Sequence, residues 1–219
     1  MSNVLWTFGD SMTFGHGCNI NCKSDVSVKY SLYKNKGDDI WPNHLGNLLN
    51  YDVKNFGKNG VSNDYIFDSI IDNFDSIQNN DIVIINTTLY GRIDVPIDDN
   101  IHHILSAYEG AKNILNKDCI NDKDKIETIL NFQYYFSNDI FYKNRHKKRF
   151  DFIKKRLLNE TKVKFCYIWS LEDDDELYAS FETIYKHTSG LIKDTHFSFN
   201  GHLNFAHFLY SLVDNKKII

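Results

Sequence analysis

Residues 81–86 read Asp-Ile-Val-Ile-Ile-Asn, an unbroken apolar run held between two polar ends. A strand with one wet face alternates apolar and polar residues. A run without alternation is covered on both faces, the situation of a strand inside a parallel sheet flanked by helices. Working outward, Val4 to Phe8 reads as a first strand stopped by Gly9. Tyr51 to Phe56 reads as a second, alternating around Val53 and ending at Gly57, and Val163 to Ser170 as a fourth. Between them lie stretches with helical spacing: Asp38 to Leu49 (Trp41, Leu45, Leu48, Leu49), Tyr65 to Phe74 (Ile66, Ile70, Phe74) and Leu203 to Val213 (Leu203, Ala206, Leu209, Val213). Short apolar runs alternating with amphipathic stretches predict the α/β class. The middle is expected to be helical over Ile101 to Leu115, Lys123 to Tyr142 and Lys147 to Leu158. The expectation is one domain over residues 1–219, with a helix-rich insertion or lid at about 100–159.

Composition narrows the function classes. The chain has 219 residues, 42% hydrophobic and 25% charged, which is ordinary globular usage and excludes collagen-like, coiled-coil and wholly disordered chains. Two prolines, Pro42 and Pro96, exclude a proline-rich stalk. No apolar run approaches the roughly 20 residues of a membrane helix. A net charge of −4 supplies no overall attraction to nucleic acid or to an anionic membrane. Cys18, Cys22, Cys119 and Cys166 are too scattered for a disulfide framework, and Cys166 falls inside a strand pattern as a buried thiol. Met1-Ser2-Asn3 leads into Val4 without a basic n-region, a long apolar segment or a cleavage site, so a cytoplasmic protein is expected.

Ligands of an open parallel sheet bind in the loops at the carboxyl ends of its strands. After the first strand comes Gly9-Asp10-Ser11-Met12-Thr13-Phe14-Gly15. A serine at a glycine-flexed turn from strand to helix is exposed and surrounded by backbone N–H groups, as a nucleophile requires; Gly-Asp-Ser is equally a common turn. Near the other end stands Asp194-Thr195-His196-Phe197-Ser198-Phe199-Asn200-Gly201-His202, just before the last helix. Residues two apart in an extended segment share a side, which places Asp194 and His196 together, either as two members of a Ser-His-Asp triad or as a solvated turn residue and a packed histidine.

Taken together, these segments resemble the SGNH (GDSL-like) hydrolases. Gly9-Asp10-Ser11 matches the first block of that family, Asn55 to Asn63 looks like its second, and Asp194 to His202 looks like its last. The resemblance implies a three-layer α/β/α flavodoxin-like fold with a parallel sheet of about five strands. It implies Ser11 as nucleophile, His196 as general base and Asp194 as its orienting carboxylate. Gly60 would offer a backbone N–H to the oxyanion. Two departures stand out. Only Thr195 separates Asp194 from His196, where the family usually has two residues. At the end of the third strand Thr88 stands where the family has an oxyanion-binding Asn, as in a divergent branch found among phage and bacterial proteins. Thr88 is then a third oxyanion donor, with Asn63 and Asn86 as substitutes, and Arg92 either clamps an acidic substrate group or forms a structural salt bridge such as one to Asp94. Losing one oxyanion donor typically costs about 10² to 10³ in turnover.

The activity implied is a serine esterase acting on an acyl ester, acetyl first, of a carbohydrate or other small polar compound, with no metal or organic cofactor. The alternative is a weakly catalytic or non-catalytic glycan-binding or structural protein that keeps the hydrolase fold, virion-associated if phage-encoded. A flavin or nucleotide binder is disfavoured because no loop carries a phosphate-cradling glycine pattern. His16, Cys18 and Cys22 make an incomplete zinc signature, and His102-His103, expected on a helix, face apart. The basic run Arg145 to Arg156 carries Phe150, Ile153 and Leu157 at helical spacing, which predicts a helix packed on the core. Glu172 to Glu176 reads as a solvated loop, and His202 and His207 as packing or surface residues.

Overall fold

The computed structural model describes residues 2–15, 39–97, 100–105, 127–128, 131, 139–161, 163–171 and 196–214. Four strands, β1 (Val4–Gly9), β2 (Asp52–Gly57), β3 (Ile82–Thr87) and β6 (Phe165–Ser170), form a sheet in the order β2-β1-β3-β6. Every pairing in it is parallel, with Leu5 opposite Val53 and Ile82, and Ile84 opposite Tyr167. β4 (Arg92–Ile97) and β5 (Asn100–Leu105) form a separate antiparallel hairpin. The helices are α1 (Ser11–Phe14), α2 (Trp41–Leu49), α3 (Asn63–Asn73), α4 (Asp139–Arg156) and α5 (Phe199–Asp214). A 3-10 turn over Phe74–Ser76 follows α3, and a π-helical turn over Leu157–Thr161 ends α4.

Every residue of β3 and β6 is buried, as the run at 81–86 predicts. Side chains of a strand alternate between faces, and the two halves of the core obey that alternation. Leu5, Ile82, Ile84, Tyr167 and Trp169 pack with α2 and α5, whereas Trp6, Val83, Ile85, Cys166 and Ile168 pack with α3 and α4. Three layers result, with helices on both faces of the sheet. β2 lies at the edge, and its exposed Asp52 and Lys54 keep that edge polar. The sheet holds four parallel strands among the described residues, against about five expected.

The largest departure lies in the middle of the chain. Residues 100–105, expected to open a helix over Ile101 to Leu115, are strand β5, with Asp94 opposite His103 and Val95 opposite His102. Ile101, Ile104 and Leu105 fit a helical stripe. The same residues suit a strand rich in β-branched side chains, and pairing with β4 decided between the two. Residues 106–126 lie outside the described residues. Of the helix expected over Lys123 to Tyr142, residues 127, 128 and 131 are helical and 139–142 belong to α4. α4 buries Phe150 and Ile153 as the spacing predicts. Part of its basic run meets carboxylates: Arg145 and Arg149 flank Asp64 of α3, Lys155 pairs with Asp151, and Arg156 with Glu160. Cys18, Cys22, Cys119, His16 and the run Glu172 to Glu176 lie outside the described residues. Burial pushes the Cys166 thiol up to about 12, as an inert core residue requires. No helix among the described residues is long and apolar enough to cross a membrane.

Two buried polar groups join segments distant in the sequence. Asp81, 3% exposed at the head of β3, accepts from the Val4 N–H at 2.9 Å, the Trp6 indole N–H at 2.8 Å and the Gln78 N–H at 2.9 Å. His146 of α4 stacks between Tyr90 (6.5 Å between ring centres) and Tyr142 (6.2 Å). Burial holds its imidazole at about 4, below the ordinary 6.5; Asp64 and Asp94 pull upward, while Arg145 and Arg149 push further down.

Removing the Asp81 carboxylate strands the buried Trp6 indole N–H and two part-buried backbone N–H groups, so Asp81→Ala is expected to lower the unfolding free energy in urea by about 2–4 kcal/mol. For His146 the unfolded chain binds the proton more readily than the folded one. Its contribution to stability is therefore complete above pH 6.5 and is lost as pH falls from there toward about 4. Urea midpoints across that window should fall less steeply in His146→Phe than in the parent.

Candidate active site

β1 ends at Gly9, a position where no side chain fits: a Cβ would come within 2.3 Å of the Thr13 hydroxyl and 2.7 Å of the Asn86 Cβ. The chain turns at once into α1. Asp10 caps this helix, its carboxylate accepting the Met12 N–H at 3.0 Å, and Gly15 closes it in the left-handed conformation (φ 97°). Ser11 is therefore the first helical residue, presented at the carboxyl end of the sheet.

His196 arrives from the opposite end of the chain. The residue after it, Phe197, is fully buried against Trp169, His202 and Phe205, with ring centres 5.2 to 6.1 Å apart. Ser198 caps the next turn, its hydroxyl accepting the Gly201 N–H at 3.2 Å. His202, read as a packing or surface residue, is buried, and its Nδ1 accepts the Trp41 N–H at 3.2 Å. His207 is exposed. This anchor brings His196 Nε2 to 2.7 Å from Ser11 Oγ, across 185 residues of chain. Asp194, expected as the third member, lies outside the described residues.

The loops after β2 and β3 meet beside this pair. Asn63 donates from its amide nitrogen to the Thr88 carbonyl, and its oxygen accepts the Thr88 N–H, both at 2.9 Å. The carboxamide so joins two loops as a rung of sheet would. The side-chain oxygen of Asn86 accepts from the Asp10 N–H at 3.4 Å and from the Thr13 hydroxyl at 3.3 Å, and its amide nitrogen donates to the Thr87 carbonyl at 2.9 Å. Both residues, expected as substitute oxyanion donors, hold loops together. Gly60 is exposed with φ 74°, in the region that favours glycine, and the space where its side chain would sit is open.

Arg92 opens β4 and turns inward, its side chain 14% exposed. Its Nη1 donates to the Val61 carbonyl and the Thr88 hydroxyl, each at 3.0 Å, and stands 4.0 Å from the Asp10 carboxylate. Burial pushes the Asp10 carboxyl upward; the Met12 N–H, Arg92, the Thr88 hydroxyl and the charge on His196 pull it back. The Thr88 hydroxyl, expected as an oxyanion donor, is thus engaged by Arg92 and Asp10. Sequence reading missed Asp10 as a buried partner of Arg92. The signal available was its place directly before a helix, where aspartate is a preferred cap.

No protein-family profile matches the sequence, and no curated protein does. Solved structures similar in fold include an acetyl xylan esterase from the rumen bacterium Butyrivibrio proteoclasticus, at 15% identity and a TM-score of 0.48, covering 98% of this chain and 64% of that one. A family two carbohydrate esterase from Clostridium thermocellum, in complex with cellohexaose, matches at 13% identity and a TM-score of 0.45, covering 98% and 64%. A member of the lipolytic protein G-D-S-L family from Veillonella parvula matches at 14% identity and a TM-score of 0.38, covering 100% of both chains. The chain thus spans about two thirds of the length of the two carbohydrate esterases.

The Asn63 rung yields a direct test. Asn63→Leu keeps the bulk and leaves the Thr88 N–H and carbonyl unpaired in a buried loop, which should cost about 1–3 kcal/mol in urea denaturation.

Proposed function

We propose that the protein is a serine esterase that hydrolyses an acyl ester, acetyl first, of a carbohydrate or another small polar alcohol. The observation that carries this reading is the 2.7 Å contact between Ser11 Oγ and His196 Nε2 at a strand-to-helix turn. A serine hydroxyl is a weak nucleophile until a base within hydrogen-bond reach takes its proton. In the proposed reaction His196 Nε2 takes the Ser11 proton as Oγ attacks the ester carbonyl, then returns it to the departing alkoxide. Water, deprotonated by the same imidazole, releases the acid from the acyl-enzyme. Asp194 is proposed to hold the imidazole in the tautomer that leaves Nε2 free to accept. The Ser11 N–H at the start of α1 and the Gly60 N–H are the proposed oxyanion donors. The choice of acetyl and of a carbohydrate rests on the motif resemblance around Ser11, Gly60 and His196.

A second reading, a weakly catalytic or glycan-binding protein on the same fold, is favoured by one observation. The Thr88 hydroxyl accepts from Arg92 and turns its own hydrogen to the Asp10 carboxylate, which leaves the third oxyanion donor unsupplied at that position.

The two readings part in one assay. Under the esterase reading p-nitrophenyl acetate is hydrolysed, butyrate more slowly, and Ser11→Ala lowers the rate by at least about 10³-fold with an unchanged circular dichroism spectrum. A fluorophosphonate probe should label Ser11 in the parent alone. Equal rates in both proteins together with no labelling would overturn the esterase reading, and glycan binding would then be the activity to measure.

A further inference from the structure

We propose that Arg92 is a positioning residue for the Ser11–His196 pair, acting on the protein through Asp10 and Thr88 and not on the substrate. The inference rests on the esterase reading for its catalytic consequence. Its structural content stands on the contacts around one guanidinium nitrogen.

That nitrogen meets three of the segments from which the site is built, those that follow β1, β2 and β3. It donates to the Val61 carbonyl in the loop after β2 and to the Thr88 hydroxyl after β3, each at 3.0 Å, and lies 4.0 Å from the Asp10 carboxylate after β1. An Nη carries two N–H groups, and Val61 and Thr88 account for both, so the attraction to Asp10 is that of charge across a short gap. The side chain is 14% exposed and Asp10 is 1% exposed. A guanidinium this buried, with Nη1 committed to the protein, offers little surface to an incoming anion.

Asp10 transmits the effect. Its other oxygen, Oδ1, caps α1 through the Met12 N–H, and Ser11 is the first residue of that helix. A buried carboxylate is costly unless a cation faces it, and removing one partner of such a pair leaves an uncompensated charge. Without Arg92 the Asp10 carboxylate would take up a proton or turn toward water. Either outcome weakens the cap that fixes Ser11, and an error of about 1 Å in a reacting group can cost about 10²-fold in rate.

The test uses the full chain with Arg92→Met, Arg92→Lys, Asp10→Asn and the double variant Asp10→Asn/Arg92→Met, and p-nitrophenyl acetate as a neutral ester. Arg92→Met should lower kcat by about 10- to 100-fold while KM stays within about twofold. Arg92→Lys should recover part of the loss. Because asparagine also caps helices, the double variant should be faster than Arg92→Met alone, a non-additivity expected only of coupled residues. A second readout does not depend on turnover. In 15N-labelled protein the His196 Nε2 resonance reports its hydrogen bond to Ser11, and Arg92→Met should shift it toward its position in Ser11→Ala. If Arg92→Met fails to fold, Arg92→Lys is read in its place, with a smaller shift in the same direction. Unchanged kcat on the neutral ester with KM raised only for anionic esters would overturn the proposal, as would an unmoved His196 resonance in a folded variant. If the parent hydrolyses no faster than Ser11→Ala, the esterase reading falls by itself. The His196 resonance then decides the positioning role alone, a shift supporting it and no shift refuting it.

Discussion

The parallel pairing of β1 with β3, Leu5 against Ile82 through Phe8 against Ile85, is the contact on which the rest of the molecule is arranged. Both strands are paired on both edges, β1 also with β2 and β3 also with β6, and both have helices on each face. Their side chains are consumed in the core, so polar chemistry is displaced to their carboxyl ends. Because the strands run in register, Gly9-Asp10-Ser11 and Asn86-Thr87-Thr88 emerge side by side. Asn86 joins the two ends directly by accepting from the Asp10 N–H.

Loops that leave a parallel sheet have no ladder hydrogen bonds, and buried backbone groups in them need other partners. Side-chain amides supply them in this chain: Asn63 serves both backbone groups of Thr88, and Asn86 serves the Asp10 N–H and the Thr87 carbonyl. Arg92 adds a charge that offsets the burial of Asp10. On the far side, Phe197 and His202 fix the start of α5 in the aromatic cluster of Trp41, Trp169 and Phe205, which sets where His196 stands. The site is therefore braced from two directions, one polar and one apolar.

Much of the fold was legible because its signals are local. The apolar runs of β3 and β6 admit few other readings, and glycines close β1 and β2 where tight turns begin. Boundaries moved where caps decided them. α3 starts at Asn63, two residues before the expected Tyr65, because the Ser62 hydroxyl accepts the Tyr65 N–H. α5 starts at Phe199, four residues before the expected Leu203, with Ser198 capping its first turn. The β4–β5 hairpin was not legible, since Ile101, Ile104 and Leu105 fall at helical spacing and pairing with β4 made the segment extended.

The sequence by itself determined the alternation of strands and helices, the covered faces of the central strands, and the chemical types at the strand ends: Ser11, the Asn63 and Thr88 loops, and His196. Each of these is set by residue type and spacing over a few positions. Only the tertiary structure decided that Asn63 meets Thr88 across 25 residues and Arg92 meets Asp10, and it set the distance between Ser11 and His196, a pair that the motif resemblance implies, across 185 residues. Such pairings depend on strand order and on how far each loop reaches. A one-dimensional pattern carries neither, because hydrogen bonds between loops are set by the geometry of the sheet beneath them.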